Sequence, residues 1–118
     1  MEERRRYVRI DLCIEVEYKV LREEKVSGGA KSKNISEGGM CFLARDKLKK
    51  NTLLALKFHL PDRKISVIDC KGKVIWQSKE GEGYLTGIEF IDLDTNSRFL
   101  IKTFVSRFMS ELLDYGLR

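Results

Sequence analysis

The chain has 118 residues but only one histidine (His59), one proline, one tryptophan and three cysteines. Each shortage removes a class of function. With a single histidine, most metalloenzyme, catalytic-triad and general-base schemes lose their usual proton carrier. Cys13, Cys41 and Cys70 are odd in number, far apart and include no C-x-x-C pair, which argues against a disulfide framework or a zinc site and fits a reducing, cytoplasmic setting. No apolar run approaches the length of a membrane-spanning helix. Met1-Glu2-Glu3-Arg4-Arg5-Arg6 leads into no apolar stretch of the kind a secretory signal needs. No carboxylate pair, Cys/His pair or metal-ligand cluster emerges, so no enzyme is expected.

What remains is a soluble, globular composition, 42% hydrophobic and 35% charged, of a length suited to one domain. The net charge of +5 favours an anionic partner. Its distribution says more, because Arg4, Arg5, Arg6 and Arg9 crowd into the first nine positions.

Apolar residues alternate from Ile10 through Leu12, Ile14, Val16 and Tyr18 to Val20, predicting one strand with a wet outer face. Ser27-Gly28-Gly29 reads as a break, Ala30 to Ile35 as a short strand, and Ser36-Glu37-Gly38-Gly39 as a turn. Further strands are predicted around Met40, Phe42 and Ala44, and at Leu54 to Leu60, ended by Pro61. Another covers Lys64 to Gln77. Its change of phase between Val67 and Ile68 predicts a bulge or bend. Glu80-Gly81-Glu82-Gly83 is a turn before a last strand at Tyr84 to Phe90. Beyond Asp92 the period becomes helical: Ile101, Phe104, Val105, Phe108 and Leu112 form one stripe, with Asp94 as N-cap and Gly116 as a C-terminal stop. The sum is a mainly β chain, a small antiparallel six-stranded β-barrel with a C-terminal α-helix over residues 10–118, preceded by a flexible arginine-rich arm at residues 1–9. On this pattern His59 and Cys13 face solvent, and Trp76 falls in the core or at the barrel rim.

Two short motifs carry the chemistry. Arg5-Arg6-Tyr7-Val8-Arg9 is an R-x-x-x-R, and Asn34-Ile35-Ser36-Glu37-Gly38-Gly39 is an N-x-S-x-x-G; positions 10 to 33 separate them. A guanidinium presents a planar fork of donors suited to phosphate and to stacking on a purine. An amide and a hydroxyl can read a base edge, and glycines let backbone approach a ligand or turn tightly. Each motif alone is commonplace: arginine-rich arms are usually solvated, and Asn-x-Ser before Gly-Gly is usually turn chemistry.

Together, and with Lys73-Val74-Ile75-Trp76 and Tyr84-Leu85-Thr86-Gly87-Ile88-Glu89-Phe90 as the last two barrel strands, they make the chain resemble the PilZ domain family over nearly its whole length. The resemblance implies a non-catalytic receptor for cyclic di-GMP. Arg5 and Arg9 would hold phosphates and guanine faces, Asn34, Ser36 and Gly39 with Gly38 the opposite wall, and the closing arm would signal to a protein partner. It also implies that Arg4, preceding the R-x-x-x-R, favours an intercalated ligand pair over one ligand. Asn34 stands where the family often has Asp, which keeps an acceptor and removes a charge. Two alternatives follow from the same residues: a basic barrel binding single-stranded nucleic acid, and a PilZ-like adaptor without ligand. Against the first, charge sits in one arm and Tyr7, Phe42 and Trp76 make no obvious aromatic row. Against the second, the arginines are intact.

Overall fold

The computed structural model describes residues 7–22, 27–61 and 66–116. Seven strands precede one helix: β1 (Ile10–Asp11), β2 (Glu15–Val20), β3 (Ser27–Ile35), β4 (Gly39–Ala44), β5 (Leu53–Leu60), β6 (Ser66–Glu80), β7 (Gly83–Asp92) and α1 (Thr95–Gly116). All pairings are antiparallel and run β3-β2-β5-β6-β7-β4, and β4 returns to β3. This closes a six-stranded barrel, with β1 as an extra strand on β3. Closure gives each of the six barrel strands a hydrogen-bonded neighbour on both sides.

Period-two alternation becomes an interior. Val16, Tyr18 and Val20 from β2, Met40, Phe42 and Ala44 from β4, Leu54, Leu56, Phe58 and Leu60 from β5, and Ile88 and Phe90 from β7 are all buried. Tyr18 stacks on Phe42 with ring centroids 5.5 Å apart, and Phe58 on Phe90 at 6.1 Å. The Tyr18 hydroxyl donates to the Asp46 carboxylate, and burial pushes its pKa above the usual phenol range. Gln77 ties the loop after β4 to the wall, donating to the Asp46 carbonyl at 3.0 Å and accepting from the Leu48 amide at 2.7 Å. His59 and Cys13 are exposed, as expected.

The predicted first strand is two strands. Asp11 pairs with Asn34 and Glu15 with Lys31, so one extra residue is accommodated between them. Ser32 fills the gap. Its buried hydroxyl accepts from the Ile14 amide at 2.9 Å and donates to the Leu12 carbonyl, while its own amide donates to the Ile14 carbonyl at 2.9 Å. Apolar alternation survives the interruption, which is why the sequence pattern conceals it. Ser32→Ala is expected to strand the Ile14 amide and lower unfolding stability by about 1–3 kcal/mol, read as an earlier midpoint in urea. An unchanged midpoint would mean that another group satisfies that amide.

Gly28 and Gly29 make no break: they lie inside β3 and pair with Tyr18 and Glu17. Position 28 passes under the Tyr18 ring, where an added Cβ would stand 3.3 Å from the hydroxyl. The phase change at Val67 is no bulge either: Val67 faces out, Ile68 and Cys70 face in, and their pairing with β5 is unbroken. The irregularities fall between Lys71 and Gly72 and between Val74 and Trp76. At the second, Val74 opposes Ile88 and Trp76 opposes Gly87, so Ile75 is the inserted residue. That insertion turns Trp76 outward, leaving it 44% exposed at the rim. At the β6–β7 turn, Gly81 adopts φ +60°, a left-handed conformation that glycine reaches without penalty.

Asp94 caps α1: its carboxylate accepts from the Ser97 amide at 2.6 Å, and its carbonyl from the Arg98 amide at 2.9 Å. The stripe buries Ile101, Phe104 and Val105, with Phe108 partly covered. Leu112, expected on the same packed face, is 52% exposed because the helix outruns the barrel it rests on. Among the described residues no helix is long and apolar enough to cross a membrane.

Candidate functional site

One cleft of about 520 Å³ opens where the residues before β1, the β3–β4 hairpin, the middle of β6 and β7 and the first turn of α1 meet. Arg9, Asn34, Ser36, Gly38 and Gly39 all line it. β1 pairing sets this: Ile10 opposes Ile35 and Asp11 opposes Asn34, so the residue just before β1 emerges beside the loop just after β3. Arg9 and Asn34, distant in sequence, thereby line the same cleft. Arg4 and Arg5 lie outside the described residues.

The hairpin loop is held from within. The Ser36 amide donates to the Gly39 carbonyl at 2.8 Å, and the Ser36 hydroxyl accepts from the Gly38 amide at 3.1 Å. The hydroxyl is nearly buried, so its first use is to fix the loop. The Gly38 carbonyl then accepts from the Phe90 amide at 2.9 Å, fastening the loop to β7.

Tight turning is not what the two glycines provide, for neither has a positive φ. Both are needed for space. A Cβ at Gly38 would stand 2.6 Å from the Tyr7 ring, which lies over it. A Cβ at Gly39 would overlap the Ile88 carbonyl oxygen of β7. Gly87 repeats the device on the far wall: a Cβ there would collide with the Trp76 indole. Two aromatic rings, Tyr7 and Trp76, therefore lie over glycines and line the same cleft.

The described lining carries two cations, Arg9 and Arg98, and two carboxylates, Glu37 and Glu89. Cys41 lines the floor; burial pushes its thiol pKa up, partly opposed by the charge of Arg9. Cys70, buried on β6 among carboxylates, is pushed up to about 12 and stays a thiol at neutral pH. Neither cysteine is thus poised as a nucleophile. No group of three or more His, Cys, Asp or Glu side chains placed to hold a metal occurs among the described residues.

Sequence reasoning gave no site role to Tyr7 or Arg98 and set Trp76 mainly in the core or rim. Tyr7 had a usable signal, an aromatic between two arginines with a glycine pair in the facing loop. Arg98 had none, since its place depends on how α1 settles on the barrel.

Comparison with curated proteins gives no match. Solved structures do match. The inhibitor of motility (MotI/DgrA) from Bacillus subtilis superposes with a TM-score of 0.78 at 21% identity, over 92% of this chain and 53% of that one. The PilZ domain of YcgR from Escherichia coli, solved with c-di-GMP, gives 0.74 at 16% identity over 98% and 99%. The MrkH–c-di-GMP complex of K. pneumonia gives 0.74 at 16% over 97% and 56%. The chain thus spans about half the length of the motility inhibitor and of MrkH, and nearly all of the YcgR domain. Those identities speak for the fold alone. The PilZ domain family itself matches residues 3–107, from ahead of the first motif through the barrel and into α1, and the chain belongs to that family.

Proposed function

We propose that this chain is a non-catalytic receptor for cyclic di-GMP, bound in the cleft by Arg5 and Arg9 from one side and Asn34, Ser36, Gly38 and Gly39 from the other. The observation that carries the reading is that Arg9 and the N-x-S-x-x-G loop, remote in sequence, line one cleft. Support also comes from family membership and from the relatives solved with this dinucleotide. The chemistry fits: a guanidinium suits a phosphate, an amide suits a guanine edge, and the flanking rings offer faces to purines. Ligand closes residues 1–9 over the cleft, and a protein partner reads the altered face. Such closure can shift a population only by the ligand's differential affinity for the closed form.

Charge-assisted hydrogen bonds contribute about 1.5–3 kcal/mol each. Ordering each arm residue costs about 1–2 kcal/mol. The expected dissociation constant is therefore near micromolar, about −8 kcal/mol. Isothermal titration with cyclic di-GMP, with GTP as control, checks this. Two ligands per chain are expected if Arg4 promotes a pair, and a stoichiometry of one removes that role. Hydrogen exchange at residues 1–9 should slow at saturation; no change would sink the closure step. No heat at high ligand concentration would sink the receptor, leaving the adaptor or, if a salt-dependent oligonucleotide titration succeeds, the nucleic-acid reading.

A further inference from the structure

We infer that Arg98, on the first turn of α1, is a phosphate-binding residue of the cleft. The inference rests on the receptor reading above and extends it to an element that neither motif includes.

Charge balance is the starting point. A cyclic dinucleotide carries two phosphate charges. Among the described lining residues Arg9 and Arg98 are the cations, and Glu37 and Glu89 oppose them. With Arg9 alone the described wall would be net negative. Arg98 brings it to neutrality, so that arginines arriving from the N-terminal segment add a net attraction. A site with a negative wall would repel its ligand at the distance where the fork must engage.

Position supports the same role. Arg98 is held where it stands, because the Asp94 carboxylate and carbonyl engage the Ser97 and Arg98 amides and fix the first helical turn. Side chains on a helix lean toward its N-terminus. That end of α1 meets the cleft, and Arg98 lines it. The helix is 22 residues long, so the positive end of its dipole adds to the field there. Arg98 is exposed and makes no part of the core, so a packing role does not account for it.

The test is calorimetric titration of the full chain with cyclic di-GMP. Arg98→Ala should weaken binding about tenfold, equivalent to about 1.4 kcal/mol. Arg98→Lys keeps the charge but not the fork and should recover part of the loss. The slope of log affinity against log salt should flatten in Arg98→Ala. Lys57→Ala, an exposed β5 position outside the cleft, removes the same charge and should change affinity less than twofold. Melting temperature should stay that of the parent in all three. If Arg98→Ala binds like the parent while Arg9→Ala does not, the inference fails and the receptor reading stands. If Arg98→Ala and Lys57→Ala weaken binding equally, only the long-range field is involved and the inference fails. If the parent chain gives no heat, the receptor reading has failed first.

Discussion

Replacing Arg5 and Arg9 together by alanine is expected to weaken cyclic di-GMP binding by at least about a hundredfold, past the range of a calorimetric titration. Two charge-assisted contacts at about 1.5–3 kcal/mol each give about 3–6 kcal/mol, and each 1.4 kcal/mol is a factor of ten. Arg9 lies in the cleft beside Asn34 and the hairpin loop and is exposed, so its loss should leave the barrel intact. Arg9→Lys separates charge from shape. A lysine carries one compact charge and cannot grip two phosphate oxygens in a plane, so an intermediate affinity is expected. Undiminished binding by the double variant, with an unchanged melting curve, would remove the R-x-x-x-R from the site.

The second large effect is on stability. Gly39→Ala should cost about 3 kcal/mol and lower the melting temperature by roughly 10 °C. The new methyl group would overlap the Ile88 carbonyl oxygen, and a backbone atom in a paired strand cannot rotate aside. Gly39 opposes Glu89 in the β4–β7 ladder, and Phe90 is hydrogen bonded to Gly38 next door, so relief would require parting the barrel at that seam. Gly29→Ala is the control, since a Cβ there meets nothing within 4 Å and should leave the melt within about a degree. If Gly39→Ala melts with the parent, the strands can separate cheaply. Lost ligand binding in Gly39→Ala would then report a contact instead of a distorted barrel.

The sequence was most informative where one physical rule acted alone. Alternation at Leu54, Leu56, Phe58 and Leu60 had no competing signal, and all four are buried in β5. Asp94 before a 3.6-period stripe gave the helix start, and the capping bond is there. Errors came where two rules met. Gly28-Gly29 satisfies turn chemistry, yet the Tyr18 ring needs the room inside a strand. Ile10 to Val20 keeps its alternation through a bulge because Ser32, on the opposite strand, supplies the missing hydrogen bonds. Trp76 continues the inward phase of its strand, and one inserted residue, Ile75, puts it at the rim, one of its two expected places. Of the cleft lining, Arg9 and the Asn34–Gly39 loop were legible because each belongs to a local motif. Arg98 was not, because a helix's docking position has no local signature.

The cleft draws on position 7 at one end and position 98 at the other, and it is sealed by β4 meeting β7 across some fifty residues of chain. No fragment that stops short of β7 contains it. During synthesis the ligand can have no effect on the growing chain until almost all of the barrel has left the ribosome. On the receptor reading, bound ligand stabilises the barrel as a whole and not one lobe, because the cleft lining is drawn from β3, β4, β6, β7 and α1 together. If the receptor reading holds, a cell rich in the dinucleotide would hold more of this protein against proteolysis, by a factor set by ligand concentration over dissociation constant.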